Sequence, residues 1–131
     1  MNKKRIFSAF VMVLAIFFIS TASASASSET FRLNSSLHNN VSNNHYAIKG
    51  DRIYYQVTTQ KSRHAVGFGV YRVGAYGQHQ LVSIVKTAPA GSGESYGYFD
   101  APSNGSYFLR AACGGNGQTG CQGFGIIDTN W

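Results

Sequence analysis

Between Arg52 and Thr58 the side chains alternate, with Ile53, Tyr55 and Val57 on one side and Arg52, Tyr54, Gln56 and Thr58 on the other. Successive side chains of a strand point to opposite faces, so a period of two marks a half-buried strand with one face for a core. The pattern returns from Ala65 to Val73, where Val66, Phe68 and Val70 share a side. Gly67 and Gly69 hold the other side, where glycine loosens the strand or marks a close approach by another backbone. From Gln80 to Thr87, Val82 and Ile84 stand opposite Leu81 and Val85, and apolar residues on both faces predict a more central strand. Thr30 to Leu33, the aromatic run Tyr96 to Phe99, Ser106 to Cys113 and Phe124 to Asp128 supply further strands, and a polar loop rich in Ser and Asn runs on to Asn44. A loop rich in Gly, Ser and Pro from Ala88 to Gly93 precedes the aromatic run, and Asp100 to Gly105 forms a turn, since Pro102 lacks an amide donor and Asn104-Gly105 suits positive φ. No helical period spans a window of about eleven residues beyond Ala26. The expectation is all-β: an antiparallel β-sandwich, jelly-roll or Ig-like, of about six to eight short strands.

The segment before that domain has a basic head (Lys3, Lys4, Arg5), an apolar run from Ile6 to Ile19 and the small-residue string Thr21 to Ala26. This is the order of a secretory signal peptide, and the Lys-rich head is of the bacterial kind. The apolar run falls short of the roughly 20 residues that span a bilayer, so a cleaved leader is expected rather than a stable membrane anchor. Ala22-Ser23-Ala24 and Ala24-Ser25-Ala26 both fit the cleavage pattern, giving a mature start at Ser25 or, preferred, at Ser27. The organisation is then a leader over 1–26 and one secreted domain over 27–131. The leader carries three of the 11 Lys and Arg, which leaves eight against 5 acids, so a net charge of +6 falls to +3. Those eight cations are spread singly, whereas a nucleic-acid reader clusters them along one face. No nucleic-acid partner is expected; weak attraction to anionic polymers is physically allowed.

Cys113 and Cys121 are the only cysteines, and an oxidising compartment lets them pair as a disulfide. The loop they close, Cys-Gly-Gly-Asn-Gly-Gln-Thr-Gly-Cys, is either a plain staple or a displayed recognition loop whose Asn116, Gln118 and Thr119 offer hydrogen bonds to sugar hydroxyls or peptide groups. The spacing is not the C-x-x-C of redox motifs, and the thiols lack neighbouring histidines for zinc. Gly115 to Gly120 formally matches G-x-G-x-x-G, but no helix follows it, so no nucleotide and no other cofactor is expected.

His38, His45, His64 and His79 are expected as exposed loop residues, and Asp51, Glu94, Asp100 and Asp128 as isolated acids, with Asp51 and Asp100 bonding backbone amides at turns. Neither G-x-S-x-G nor H-E-x-x-H occurs, so no catalytic and no metal-ligating residue is assigned. Tyrosine is more informative, because all eight lie beyond the leader. An outward Tyr54 beside Arg52 and Gln56 would make an amphipathic platform for carbohydrate or protein, although tyrosine also favours strands for reasons of packing alone. Trp131 either closes the sandwich or stands as an exposed anchor. A secreted, non-catalytic module that binds an extracellular or cell-wall polymer, or another protein, accounts for these features. The alternative is a secreted antagonist, a small toxin or enzyme inhibitor, that presents the disulfide-closed loop.

Three stretches, Gly50 to Val57, Val66 to Arg72 and Phe99 to Ala111, together resemble the small jelly-roll sandwiches appended to secreted bacterial enzymes, the pre-peptidase C-terminal type. The likeness covers about half of the mature chain. It implies a non-catalytic accessory module, here acting with no enzyme attached.

Overall fold

The computed structural model describes residues 27–129; the leader and Trp131 lie outside them. All the regular structure among these residues is β: β1 (Ser27–Arg32), β2 (Asn39–Val41), β3 (His45–Ala47), β4 (Arg52–Ser62), β5 (Val66–Val73), β6 (His79–Leu81), β7 (Lys86–Ala88), β8 (Gly91–Asp100), β9 (Gly105–Cys113) and β10 (Gly123–Thr129). One antiparallel sheet runs β1-β10-β4-β8. In the other, β9 and β5 pair at the centre, β2 and β3 share the outer edge of β9, and β6 and β7 share the outer edge of β5. With each broken edge taken as one position, both sheets are four strands wide. Counting β2 with β3 and β6 with β7, the chain changes sheet at every step except from β5 to that second pair, which is the jelly-roll form of the sandwich.

The alternation that predicts β4 is the alternation observed, because Ile53, Tyr55 and Val57 are buried while Arg52, Tyr54 and Gln56 face outward. Val66, Phe68 and Val70 of β5 and Tyr107, Leu109 and Ala111 of β9 meet them from the second sheet, and Ile127 of β10 adds to the first.

The edges depart from the sequence reading. The described residues hold ten strands rather than six to eight: three-residue β2 lies in the segment expected as a polar loop, and three-residue β3 follows directly after it. Gln80 to Thr87 is not a central strand but the two edge pieces β6 and β7. The Ser83 hydroxyl is the cause: it accepts the Val70 N–H (2.8 Å) where a ladder carbonyl would stand and donates to the Ile84 carbonyl (3.1 Å). The chain bulges there, leaving Leu81, Ile84 and Val85 exposed. β8 begins at Gly91, inside the expected loop. His45 is not an exposed loop residue either. It is buried on β3, and its Nε2 lies 2.8 Å from Glu29 Oε2 of β1, bridging the adjacent edges of the two sheets. Asp51 does cap a turn, accepting the Ile48 N–H (2.9 Å), whereas Asp100 faces Arg52 Nε at 3.7 Å.

Tyr55 ties the layers together at the opposite side. Its ring meets Phe68 and Phe99 edge-on, at 5.9 and 6.0 Å between centroids, and its hydroxyl donates to the Ile84 carbonyl (2.7 Å). Gly97 of β8 makes room for it: a Cβ there would fall 2.7 Å from Tyr55 Cζ and Oη. Gly97→Ala is therefore expected to destabilise the fold by about 1–3 kcal/mol, the usual cost of overpacking a core. Urea unfolding measures this, and an unchanged midpoint would mean that the ring can shift without cost.

Candidate binding face

The antiparallel register of β4 and β8 sets Arg52 against Asp100, Tyr54 against Tyr98, Gln56 against Tyr96 and Thr58 against Glu94. All eight side chains lie on the outer face of the first sheet. The trio named from sequence, Arg52, Tyr54 and Gln56, thus shares one surface, and β8 adds residues that no local pattern on β4 announces. Their contacts are orderly. The Arg52 guanidinium sits 5.1 Å from the Tyr98 ring centroid, within cation–π range. Tyr54 and Tyr96 rings lie 5.9 Å apart. Tyr54 donates its hydroxyl to Gln56 Oε1, and Gln56 Nε2 donates to Glu94 Oε2 (2.7 Å) and Thr58 Oγ1 (3.1 Å). Burial pushes the Tyr54 hydroxyl above the ordinary tyrosine value, and the Glu94 carboxylate and Tyr96 push the same way, so Tyr54 stays a donor.

Tyr96 and Tyr98 are each 55% exposed, although they are large and aromatic. Beside them, between β8 and the bulge after β6, opens a cleft of about 460 Å³ lined by Tyr55, Ile84, Lys86, Tyr96, Gly97 and Tyr98. Gly97 and the Tyr55 ring that fills the space beside it line its inner side, and Ile84, 73% exposed, forms an apolar wall. Aromatic rims beside a polar group are a common form of ligand site.

The Cys113–Cys121 disulfide forms as expected, with both cysteines buried and Cα atoms 5.6 Å apart. Its loop is braced rather than free. Asn116 (φ 30°) and Gly117 (φ 76°) turn the chain with positive φ. The Gln118 side chain folds back to accept the Gly115 N–H (3.0 Å). Bonds from Cys113 N to the His38 carbonyl (2.7 Å), Gly120 N to Ser35 (2.7 Å) and Gly114 N to Ala65 (2.8 Å) fasten it to neighbouring segments. Asn116 and Thr119 remain exposed. Replacing both cysteines by serine is expected to lower stability by about 2.5 kcal/mol, as the loop-entropy model gives for so short a loop. A thermal melt of the double variant, unchanged relative to the parent, would show that the bracing bonds alone hold the loop.

Among the described residues no three of His, Cys, Asp and Glu come together as a metal-binding set. Asp128, opposite Tyr54 on β10, is raised above the ordinary carboxylate value by burial, with the His45 imidazole pulling it partly back. A carboxyl that keeps its proton longer when folded than when unfolded lets the folded state bind more protons across that interval, so its contribution to stability falls as pH rises from about 4 to the raised value. Asp128→Asn removes that decline. Melts between about pH 3 and pH 7 should show a variant with less loss on rising pH and a neutral-pH midpoint at or above the parent's; a steeper loss would contradict it.

No family model matches the chain, and no curated protein matches it. Solved structures do. An SPBc2 prophage-derived protein, YomS, is 11% identical over 79% of this chain and 94% of its own, with a TM-score of 0.49. A protein of Bacillus endospore appendages, described as disulfide-linked pili, is 8% identical over 79% and 83%, with a TM-score of 0.48. The Aeromonas hydrophila periplasmic inhibitor of g-type lysozyme is 12% identical over 79% and 83%, with a TM-score of 0.44. Identities this low carry no ligand or partner from those proteins to this chain.

Proposed function

We propose that the chain is a secreted, non-catalytic binding module that holds an extracellular polymer, a cell-wall glycan in the first instance, on the β4–β8 face and its edge cleft. The observation that carries this reading is the pair of half-exposed tyrosines, Tyr96 and Tyr98, standing over the 460 Å³ cleft. Flat rings with a polar tip give large contact area for little lost side-chain freedom, which suits sugar rings with one apolar and one hydroxyl-rich side. Arg52 and Lys86 supply donors around them, while Gln56 is engaged within the face by Tyr54, Thr58 and Glu94. Secretion accords with the leader pattern and with a disulfide, which persists in oxidising compartments.

A second reading rests on the braced disulfide loop, because a pre-ordered loop loses little entropy when it inserts into a target. It would make the protein an antagonist of a secreted enzyme.

Co-sedimentation with insoluble peptidoglycan, chitin and cellulose tests the first reading. The parent should be retained by at least one, and the Tyr96→Ala/Tyr98→Ala variant should bind it on the order of tenfold more weakly with its melting behaviour preserved, as for loss of hot-spot aromatics. Retention on none of the three, or equal retention of the variant, would reject it.

A further inference from the structure

On the opposite sheet lies a second cleft, of about 300 Å³, that shares no residue with the β4–β8 face. It crosses the strands on the outer side of β2, β9 and β5. Asn39, Ala112 and Gly67 lie in one register row across its floor, with Gly69 and Arg110 paired in the next row.

The charge of this cleft is one-sided. Arg110 carries its guanidinium 5.7 Å from the Tyr71 ring and donates from Nε to Asn39 Oδ1 (3.3 Å), and among the described residues no carboxylate pairs with it. That bond occupies the amide oxygen of Asn39 and leaves its Nδ2 as a donor. At the rim, His38 Nδ1 bonds the Gln118 carbonyl (3.0 Å), which can only accept, so Nδ1 carries the proton and the ring is fixed. The cleft therefore offers donors and a positive charge without an acid of its own.

Gly67 gives a second, independent pointer. Other glycines within the strands have a cause inside the molecule: Gly69 makes way for Leu81 and Ser83, Gly93 for Pro89, Gly97 for Tyr55, Gly125 for Phe31, while Gly91, Gly105 and Gly123 have positive φ. Gly67 has neither, since a Cβ there would meet nothing within 4 Å and its φ is ordinary. Glycine weakens a strand, and here what it secures is open floor.

We infer that this cleft is a second binding site, for the carboxylate of an acidic sugar: a uronate ring lying on the Gly67–Ala112 floor with its carboxylate on Arg110 and Asn39. The volume suits one or two sugar residues, and a charge-assisted pair of guanidinium with carboxylate is the strong form of such contacts. The site is independent of the β4–β8 face, so either can fail alone.

The test is calorimetric titration of the full mature chain with trigalacturonate, its methyl ester and an acidic peptide. The acid should bind, and the ester should bind at least tenfold more weakly. Gly67→Val puts a side chain on the floor at a position where a Cβ meets nothing within 4 Å, so it should fold as the parent does and lose binding tenfold or more; Arg110→Gln should lose it similarly, and Tyr96→Ala should not. Undiminished binding by Gly67→Val, equal binding of ester and acid, or no binding of trigalacturonate would each overturn the inference. Preference for the acidic peptide would overturn the sugar as occupant.

Discussion

The hydrogen bond from Tyr55 to the Ile84 carbonyl links nearly every unusual feature of this sandwich. A phenol in the core must find a partner for its hydroxyl, because an unmet buried donor costs more than a made bond returns, about 1–3 kcal/mol against about 1. The partner lies across the interlayer space, at the edge of the second sheet. For the Ile84 carbonyl to be available, that edge has to leave the ladder, and the Ser83 hydroxyl takes the Val70 amide in its place. For the ring to pass, β8 has to lack a side chain at position 97. The broken edge on one side and Gly97 with the Tyr55 ring on the other line the cleft beside Tyr96 and Tyr98. A surface that can receive a ligand is thus a consequence of how one core residue is satisfied.

The parts of the fold legible in the sequence are those where a strand is long enough to display its period. β4 and β5 each show several alternations, and their inner faces fall where the apolar residues predict; on β10 the buried face is Gly123, Gly125, Ile127 and Thr129, while Phe124 and Ile126 stand half-buried on the other, so there the letters point to the wrong side. β2, β3, β6 and β7 have three residues apiece, too few to show any period, and their membership in the sheet comes from pairing with β9 or β5. Between β6 and β7 the apolar residues on both faces mislead: burial on two sides and exposure at a bulged edge write the same letters. His45 was illegible for a related reason, since Glu29, its partner, lies on another sheet.

The same division applies to the candidate face. Arg52, Tyr54 and Gln56 stand two residues apart on one strand, so a single sequence window shows them together. Tyr96, Tyr98 and Glu94 join them only through the antiparallel register of β4 with β8, a pairing set by the turns and crossovers between, which no window contains. The aromatic run is plain in the sequence, but which of its rings face outward is set by Gly97 and Phe99 lying on the inner face of β8.

The two outer faces differ in how their charges are met. On the β4–β8 side, Arg52 has Asp100 and Gln56 has Glu94, so polar groups are largely satisfied within the surface and exposed tyrosine rings are what remain to be covered. On the β9–β5 side, Arg110 has an aromatic ring and an amide but no acid. Surface pairs contribute little to stability, so this difference matters for what each face can receive: an apolar, hydroxyl-rich surface on one side and an anion on the other. His38 joins the anionic-ligand cleft to the disulfide loop through the Gln118 carbonyl. The Cys113–Cys121 closure, with its inward-turned Gln118, then acts on the rim of that cleft by holding His38 in place, a positioning role that the loop's glycine-rich sequence does not disclose.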